Sequence, residues 1–341
     1  MGMVCAHCRQ GISGQFLRVG KLAFHPEHFL CAQCKRPIQA SFNVHQGACL
    51  HPACFEAHHA PRCGICEQPI TGRFVQHEGR KLHDTCYGKH LAKTCDVCRR
   101  GIVGTSLTDY WGHTYHAEHA RDLATCLYCG KLCHEAIGGG GLLYPDGRPI
   151  CRGCHKTAVH RDGDAQRTVA TVRARMASWG VDLGDVDVPV RMVDRTKLQQ
   201  LLGRSHQGVK MVSGLASMVA ERNGRVTTGK RATVYLLTGM PHHWLEATAA
   251  HELMHAWNFF HGPAHAFDLE EGSCNYMSYR LHLERDDAMA KYHIDCLMKD
   301  PHPAYGAGFR RVKKYVDRHG FARLLTLLQR SKDFPLLDAL F

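Results

Sequence analysis

The sequence predicts a multi-domain protein in which small modules with short β elements, held together by bound metal, precede an α+β domain with a helical C-terminal lobe. Cysteine and histidine pairs recur at regular spacing through the first 154 residues. Beyond them, a β-rich stretch is followed by long segments with apolar residues at helical spacing. The 341 residues are enough for two or three such domains.

The N-terminal pairs form five sets of four, each opening with C-x2-C, with 16 to 21 residues between its two pairs. The sets are Cys5, Cys8, His25 and His28; Cys31, Cys34, His51 and Cys54; Cys63, Cys66, His83 and Cys86; Cys95, Cys98, His116 and His119; and Cys126, Cys129, Cys151 and Cys154. Four nitrogen and sulfur ligands make a closed zinc site with no open position for a substrate. We therefore predict about five structural zinc ions, whose binding supplies folding free energy that such small cores lack.

Only two residues separate the first two sets, and this is the spacing of a LIM domain, in which two zinc sites pack as one unit. We predict a LIM domain over residues 1–60 and a LIM-like region of zinc ribbons or knuckles with three sites over 61–157. A disulfide framework is the alternative, but it requires an oxidising compartment. The sequence begins at the first knuckle without an apolar signal segment, which favours zinc and a cytoplasmic location.

Some individual zinc ligands have competitors. His28 stands where LIM domains more often have cysteine, and Cys49 lies close enough to His51 to compete with it. Cys133 and His134 offer alternatives near the fifth set.

The second strong motif is His251-Glu252-Leu253-Met254-His255, within a helix predicted from about 242 to 260. On a helix the two imidazoles lie on one face, four residues apart, and can share a zinc ion. Glu252 lies one step round the helix, where it can accept a proton from the attacking water. A strand predicted over 231–238 precedes the helix, as this arrangement requires.

A third ligand is available where the next helix is predicted, from about Leu269. Glu271 is the preferred ligand, because zinc peptidases often present this glutamate just before a glycine, here Gly272. Glu270 is the alternative, and either residue could instead be a first-turn acid that complements the helix dipole. Asn275, one turn further on, can accept a hydrogen bond from the non-ligating N–H of His251 and fix its tautomer.

Charge and hydropathy restrict the classes of partner. The formal charge of +12 becomes about +8 with five zinc ions on their thiolates, and about +10 with a sixth. Lysine and arginine are nevertheless dispersed, without finger spacing or interleaved aromatic residues, so nucleic acid is not predicted as a partner. No apolar run approaches the roughly 20 residues that span a bilayer, so no membrane association is predicted.

The remaining elements complete a domain over 158–341, after a polar boundary at 155–167. We predict a helix at 168–179, a strand near 188–193, a helix near 195–202, an irregular β-leaning stretch at 209–228, and helices to the C-terminus, interrupted at Pro301, Pro303 and near Gly320.

Three segments, AHELMHAW (250–257), LEEGSCNYM (269–277) and HPAYGAGFR (302–310), together with the LIM unit, resemble the DA-one family of LIM-containing zinc metallopeptidases. These proteins are best known from plants, where they restrict organ size. The resemblance covers essentially the whole chain and implies a gluzincin-like domain with one catalytic zinc. It carries over His251, His255 and Glu271 as ligands and Glu252 as general base. Tyr305 and Arg310, in the shared YGAGFR segment, become candidates for stabilising the oxyanion, with His302, Tyr276 and Tyr279 as weaker ones.

The family resemblance implies protein substrates and activation by ubiquitination. Helices that bind ubiquitin precede the LIM domain in that family, whereas residue 5 is already a zinc ligand here. Ubiquitin or another protein is thus a possible partner of the LIM and LIM-like modules. We predict a zinc-dependent peptidase whose substrate pairs with an exposed edge of the strand around 233–237. The alternative is a non-catalytic LIM adaptor with a degenerate peptidase domain.

Overall fold

The computed structural model of the chain describes residues 3–202, 212–224 and 226–335. It divides the chain into an N-terminal unit, Met1–Ser106, and a C-terminal unit, Leu107–Phe341. The predicted division into 1–60, 61–157 and 158–341 stays a prediction.

The N-terminal unit is a series of short antiparallel hairpins, each followed by a short helix. Its elements are β1 (Leu17–Val19), β2 (Leu22–Phe24), a 3-10 turn (Pro26–His28), β3 (Asn43–His45), β4 (Ala48–Leu50), α1 (Pro52–His58), β5 (Phe74–His77), β6 (Arg80–His83) and α2 (Asp84–His90). The two-residue turn at Gln46 and Gly47 has positive φ at both positions, as does the turn at Glu78 and Gly79. Positive φ at both positions is the geometry of tight hairpins whose twist matches the strands.

The cores of these modules are very small. One contains Phe29, Cys31, Ile38 and Leu50, and another contains Cys63, Ile70 and Leu82. Cores of this size do not stabilise a fold without cross-links or bound metal. The observed N-terminal modules with small β elements therefore agree with the predicted dependence on zinc.

The C-terminal unit begins with further short elements around the fifth set. They are β7 (Ser106–Thr108), β8 (Thr114–His116), α3 (Ala117–Asp122), α4 (Glu135–Gly138), β9 (Gly141–Leu143), β10 (Pro149–Cys151), α5 (Arg152–His155) and β11 (Ala158–Val159). The main core of the unit includes seven buried residues of this region: Cys126, Tyr128, Cys129, Ile150, Cys151, Cys154 and Val159. The aromatic ring of Tyr128 packs against that of Trp244, and β11 pairs with a strand directly before the helix that carries His251.

The rest of the unit is mixed α/β with a helical C-terminus, as predicted. Its elements are α6 (Asp162–Ser178), β12 (Val190–Val193), α7 (Arg195–Leu202), β13 (Gly214–Asn223), β14 (Val226–Leu237), β15 (Met240–Pro241), α8 (His242–His261), α9 (Phe267–Leu283), α10 (Ala288–Lys299), a π-helical turn (Pro303–Gly308), α11 (Phe309–His319) and α12 (Phe321–Arg330). Helix α6 starts six residues before the predicted helix, because Asp162 and Asp164 supply its acidic first turn. Part of the predicted 209–228 stretch lies outside the described residues.

The three-stranded sheet has the order β12-β14-β13. β14 pairs in parallel with β12 on one side, where Val234 lies opposite Val190, and antiparallel with β13 on the other, where Val234 lies opposite Ala216. The prediction that residues 233–237 offer a free strand edge is therefore wrong, because both edges of this segment are already hydrogen-bonded. The outer strands of the described sheet are β12 and β13.

Close backbone packing brings the π-helical turn onto the start of α9. A Cβ atom added to Gly272 would lie 2.5 Å from the carbonyl carbon of Gly308, and one added to Gly308 would lie 2.4 Å from the oxygen of Asp268. Both positions therefore require glycine. This contact brings the turn, and with it Tyr305, next to Glu271.

Within the described ranges, no helix combines the length and apolarity needed to cross a membrane.

Candidate metal centre

Helices α8 and α9 bring three predicted ligands together. The Nε2 atoms of His251 and His255 lie 3.2 Å apart. Glu271, in the first turns of α9, places Oε2 3.3 Å from Nε2 of His251 and 3.6 Å from Nε2 of His255. Ligands at the usual zinc distances of about 2.0–2.1 Å stand roughly 3.4 Å apart in a tetrahedron. The three donor atoms therefore have the separations that a zinc ion requires.

The chemistry of Glu271 supports the same conclusion. The residue is only 4% exposed, and Oε2 is buried without a hydrogen-bond donor among the described residues. A buried carboxylate oxygen without a donor is costly unless a cation satisfies it. The residues present therefore fit a bound metal.

Asn275 lies behind His251. Its Oδ1 is 2.9 Å from His251 Nδ1, and its Nδ2 donates to the carbonyl oxygen of Tyr305 at 2.9 Å. The second contact fixes which end of the amide faces the imidazole, so His251 carries its proton on Nδ1. The lone pair of Nε2 is then free for a metal.

Glu270 is not the metal-facing glutamate. Its Oε1 lies 2.7 Å from His255 Nδ1, on the far side of that ring from Glu271. Its Oε2 lies 2.6 Å from Nδ1 of His265. Sequence reasoning considered Glu270 only as an alternative ligand or a first-turn acid, and missed His265 entirely. The separation of five residues between His265 and Glu270 could have indicated this contact. The loop before α9 is short, so a side chain on it can reach the first turn of that helix.

Glu252 is 5% exposed and points toward the start of β13. A Cβ atom added to Gly214 would lie 2.7 Å from Glu252 Oε1, so the strand passes directly over this carboxylate. The backbone N–H of Ala216 also faces it. Burial raises the pKa of the Glu252 carboxyl, which favours proton transfer near neutral pH.

Tyr305 and Arg310, the two candidates for stabilising the oxyanion, have different surroundings. The ring of Tyr305 lies beside that of His251, with centroids 6.4 Å apart. Burial, followed by the charge of Glu271, raises the pKa of the Tyr305 phenol. Arg310 is directed elsewhere, because its Nη1 donates to the carbonyl oxygens of Met298 and Asp300 at 3.2 and 2.7 Å. It therefore caps α10 and does not face the three ligands.

The weaker oxyanion candidates also have structural roles. Nδ1 of His302 accepts from the backbone N–H groups of Ala304 and Tyr305, at the start of the π-helical turn. Tyr276 and Tyr279 are buried and pack against Phe321 and Phe309.

Three of the five structural sets lie wholly in the N-terminal unit and one lies wholly in the C-terminal unit, and the ligand atoms of each of these four fall within 4.8 Å of one another. They are Cys5, Cys8, His25 and His28; Cys31, Cys34, His51 and Cys54; Cys63, Cys66, His83 and Cys86; and Cys126, Cys129, Cys151 and Cys154. The set of Cys95, Cys98, His116 and His119 takes two residues from each unit and stays a prediction from spacing.

The second and third sets repeat the same geometry. Nε2 of His51 lies 3.1 Å from the carbonyl oxygen of Pro37, and Nε2 of His83 lies 3.1 Å from that of Pro69. These contacts leave Nδ1 facing the cysteines, as a zinc ligand requires. Cys49 lies in β4 and does not belong to the converged set.

The chain resembles known proteins over its N-terminal region and, more distantly, over nearly its whole length. The LIM domain family matches residues 5–59. Over 98% of its length the chain is 21% identical to LIM domain-containing protein HDR3 of Oryza sativa subsp. japonica, of which it covers 74%. It is 22% identical to Protein DA1-related 1 and to Protein DA1 of Arabidopsis thaliana, over 97% and 98% of the chain and 66% and 68% of those proteins. The predicted resemblance is thereby confirmed: along nearly its whole length, the chain is similar to LIM domain-containing HDR3 and the DA1-related proteins.

Proposed function

We propose that the chain is a zinc-dependent peptidase with a gluzincin-like domain, acting on protein substrates. The observation that carries this proposal is the convergence of His251, His255 and Glu271 donors at 3.2 to 3.6 Å beside the buried Glu252. These three residues would hold the metal. When bound, a zinc ion supplies Lewis acidity, polarising the scissile carbonyl and lowering the pKa of water to about 7.

Glu252 is the general base in this proposal. Its carboxylate takes a proton from the attacking water and delivers it to the leaving amine nitrogen as the peptide bond breaks. Burial, which raises the pKa of Glu252, brings that carboxyl closer to the pH at which both transfers are efficient.

Tyr305 is the proposed hydrogen-bond donor to the oxyanion. Its ring lies beside that of His251, and its raised pKa keeps the phenol protonated at neutral pH. A protonated phenol can donate to an oxygen that gains negative charge as water adds to the carbonyl. Arg310 has no such role in this proposal.

We assign substrate backbone pairing to β13. Among the described strands, β13 pairs only with β14, so its other edge can receive an extended peptide. The strand passes over Glu252 at Gly214 and Ala216, and a peptide bound along it would run past the metal ligands. Leu215 and Ser217 are partly exposed on the same segment.

The LIM and LIM-like modules are proposed to bind the protein substrate or a regulatory partner, ubiquitin included. LIM domains generally mediate contacts between proteins, and the match at residues 5–59 supports that role here. A LIM adaptor without peptidase activity is the second candidate function, and the same match favours it.

Zinc analysis combined with a cleavage assay separates the two candidates. We expect wild type to contain six zinc ions, five in the Cys/His sets and one more, and to cleave an unfolded protein. His255→Ala should contain five and lose cleavage, whereas Glu252→Gln should keep six and lose cleavage. Asp268→Asn, whose carboxylate pairs with Arg311, is the control in the first turn of α9. Five zinc ions in both wild type and His255→Ala would favour the adaptor.

A further inference from the structure

A continuous series of hydrogen bonds links His255 to the C-terminal helix. Glu270 bridges two imidazoles, with Oε1 2.7 Å from His255 Nδ1 and Oε2 2.6 Å from His265 Nδ1. The other nitrogen of His265, Nε2, lies 2.7 Å from the carbonyl oxygen of Leu328 in the last turn of α12. Both oxygens of Glu270 are thus engaged on the side of His255 that faces away from Glu271.

The partners of His265 define its charge. One ring nitrogen faces a carboxylate and the other faces a backbone carbonyl, and both of these groups only accept hydrogen bonds. Both nitrogens must therefore carry protons, and His265 is an imidazolium. Its side chain is 0% exposed, so the charge requires a buried counter-ion, and Glu270 provides it. Burial would lower the pKa of His265, but the bonds to Glu270 and Leu328 outweigh it and raise that pKa.

The loop that carries His265 is held against the end of α12 by further backbone contacts. The N–H of Ala266 donates to the carbonyl oxygen of Lys332 at 2.7 Å. A Cβ atom added to Gly262 would lie 2.3 Å from the carbonyl oxygen of Leu328, so only glycine fits there. The C-terminal end of α12 therefore sets the position of His265, and His265 sets that of Glu270.

We propose that His265 and Glu270 are positioning residues that orient His255 for the metal and couple its affinity to the docking of α12. The proposal rests on the proposed metal function of His251, His255 and Glu271. Glu270 requires the proton of His255 on Nδ1 and so leaves the Nε2 lone pair free for a metal. A carboxylate behind a histidine ligand also makes that ligand more basic, and loss of such a partner typically weakens metal binding about 10 to 100-fold.

A purely structural Glu270 would have different consequences. A first-turn acid that only complements the dipole of α9 would change helix stability and leave the metal site unaltered. Asp268 is also a first-turn acid of α9, and its carboxylate pairs with Arg311 on α11. Asp268→Asn is therefore the matched control for Glu270→Gln.

The test measures metal affinity directly, by competition between the protein and a chelator, after the five structural sets are shown to remain filled. Cobalt(II) bound in place of the sixth zinc reports the ligand field through its visible absorption. We expect Glu270→Gln to lose about 10 to 100-fold in affinity and to change the cobalt spectrum. Asp268→Asn should do neither.

His265 allows a rescue experiment. The amide nitrogen of asparagine occupies the place of Nδ1 and can still donate to Glu270, whereas that of glutamine occupies the place of Nε2 and can donate only to Leu328. His265→Asn should therefore keep a metal affinity closer to wild type than His265→Gln. If Glu270→Gln fails to fold, the His265 pair and Glu270→Asp still test the proposal.

The outcomes separate this inference from the proposed function. Unchanged affinity and an unchanged cobalt spectrum in Glu270→Gln and His265→Gln would overturn the positioning role and leave the peptidase proposal standing. Weakened binding in these variants, with no cleavage by zinc-saturated wild type, would support the positioning role and overturn the peptidase. A wild type that binds no sixth metal ion would overturn both.

Discussion

Asn275 holds His251 from behind, with its amide oxygen 2.9 Å from Nδ1, while its amide nitrogen donates to Tyr305 on the π-helical turn. One side chain therefore connects a proposed metal ligand to the segment that carries the proposed oxyanion donor. Asn275→Leu should weaken metal binding about 10 to 100-fold, because His251 loses the acceptor that fixes its tautomer. Chelator competition measures the change. Asn275→Asp keeps an acceptor and serves as the control, and equal weakening in both variants would contradict a tautomer effect.

Tyr305→Phe should lower kcat by about 10²- to 10³-fold, because the oxyanion loses a donor. KM and zinc content should change little, since the phenol contributes mainly in the transition state. Steady-state kinetics on a peptide substrate measure both constants. Tyr276→Phe is the matched control, because that tyrosine stacks on Phe321 in the core. A kcat within about threefold of wild type would mean that the activation free energy changes only by an amount of order RT. That result would exclude Tyr305 as the donor.

Gly214→Val should abolish most cleavage without removing zinc, because its Cβ would meet Glu252 Oε1 at 2.7 Å. The carboxylate would have to move away from the position where it transfers protons. Cleavage rate and zinc content are measured on the same sample. Gly229→Val on β14 is the control, since its nearest contact is the flexible end of Glu221 at 3.1 Å. Full activity in Gly214→Val would argue against Glu252 as the base.

Three buried histidines should make the C-terminal unit sensitive to acid. The ring of His293 lies 5.2 Å from that of His243 and 4.8 Å from that of His282, and one buried nitrogen of each finds no partner among the described residues. Burial lowers the pKa of His243 and His282 to about 4 and that of His293 to about 2. Arg285 and Asp287 are the charged neighbours that also act on these values.

The stability of the fold should increase with pH in this range, and the direction follows from proton binding. The unfolded chain binds protons on these histidines near their ordinary pKa of 6.5, whereas the folded state does not until about 4 or below. Stability is therefore fully present above about pH 6.5 and falls as the pH drops from there toward 4. His293→Phe should flatten this slope in denaturant unfolding measured across that range. Exposed His319→Phe is the control, and identical slopes in both variants would refute the prediction.

The fifth zinc set should be inseparable from the unit that carries the metal centre. Its cysteines join the main core, and Arg148 donates to the carbonyl oxygen of Thr238, just before α8, at 2.8 Å. Cys151→Ser should lower the thermal stability of the C-terminal unit and weaken binding of the sixth metal ion. It should also speed hydrogen exchange in α8, which reports the local stability of the helix that carries His251 and His255. Cys133→Ser, a cysteine outside the set, should not. Unchanged exchange in Cys151→Ser would show that the two regions fold independently.

The spacing of residues close together in the chain predicted most of the candidate site. His251, Glu252 and His255 follow from the 3.6-residue period of one helix, and the position of Asn275 one turn after Glu271 follows from the same period on the next. The zinc sets follow likewise from pairs three residues apart, with 16 to 21 residues between the two pairs of each set. In each case the residues are close in the chain, so the pattern is independent of the rest of the fold.

Contacts between segments that are distant in the chain could not be predicted from the sequence. It could not decide that β14 is a central strand, because that depends on pairing Val190 with Val234. The sequence also could not predict that Arg310 points toward the end of α10, or that the core of the C-terminal unit includes the fifth zinc set.

The sequence by itself determined which histidines and cysteines stand together and that Glu252 lies beside His251 and His255, because helical and hairpin periodicity place those side chains at short range. Only the tertiary structure decided which strand edge is open, that Glu271 rather than Glu270 lies beside both Nε2 atoms, and that Glu270 and His265 connect His255 to α12. The physical reason is that these relationships depend on long-range packing, where a close backbone contact at Gly262 or Gly272 selects one partner among several that the sequence permits.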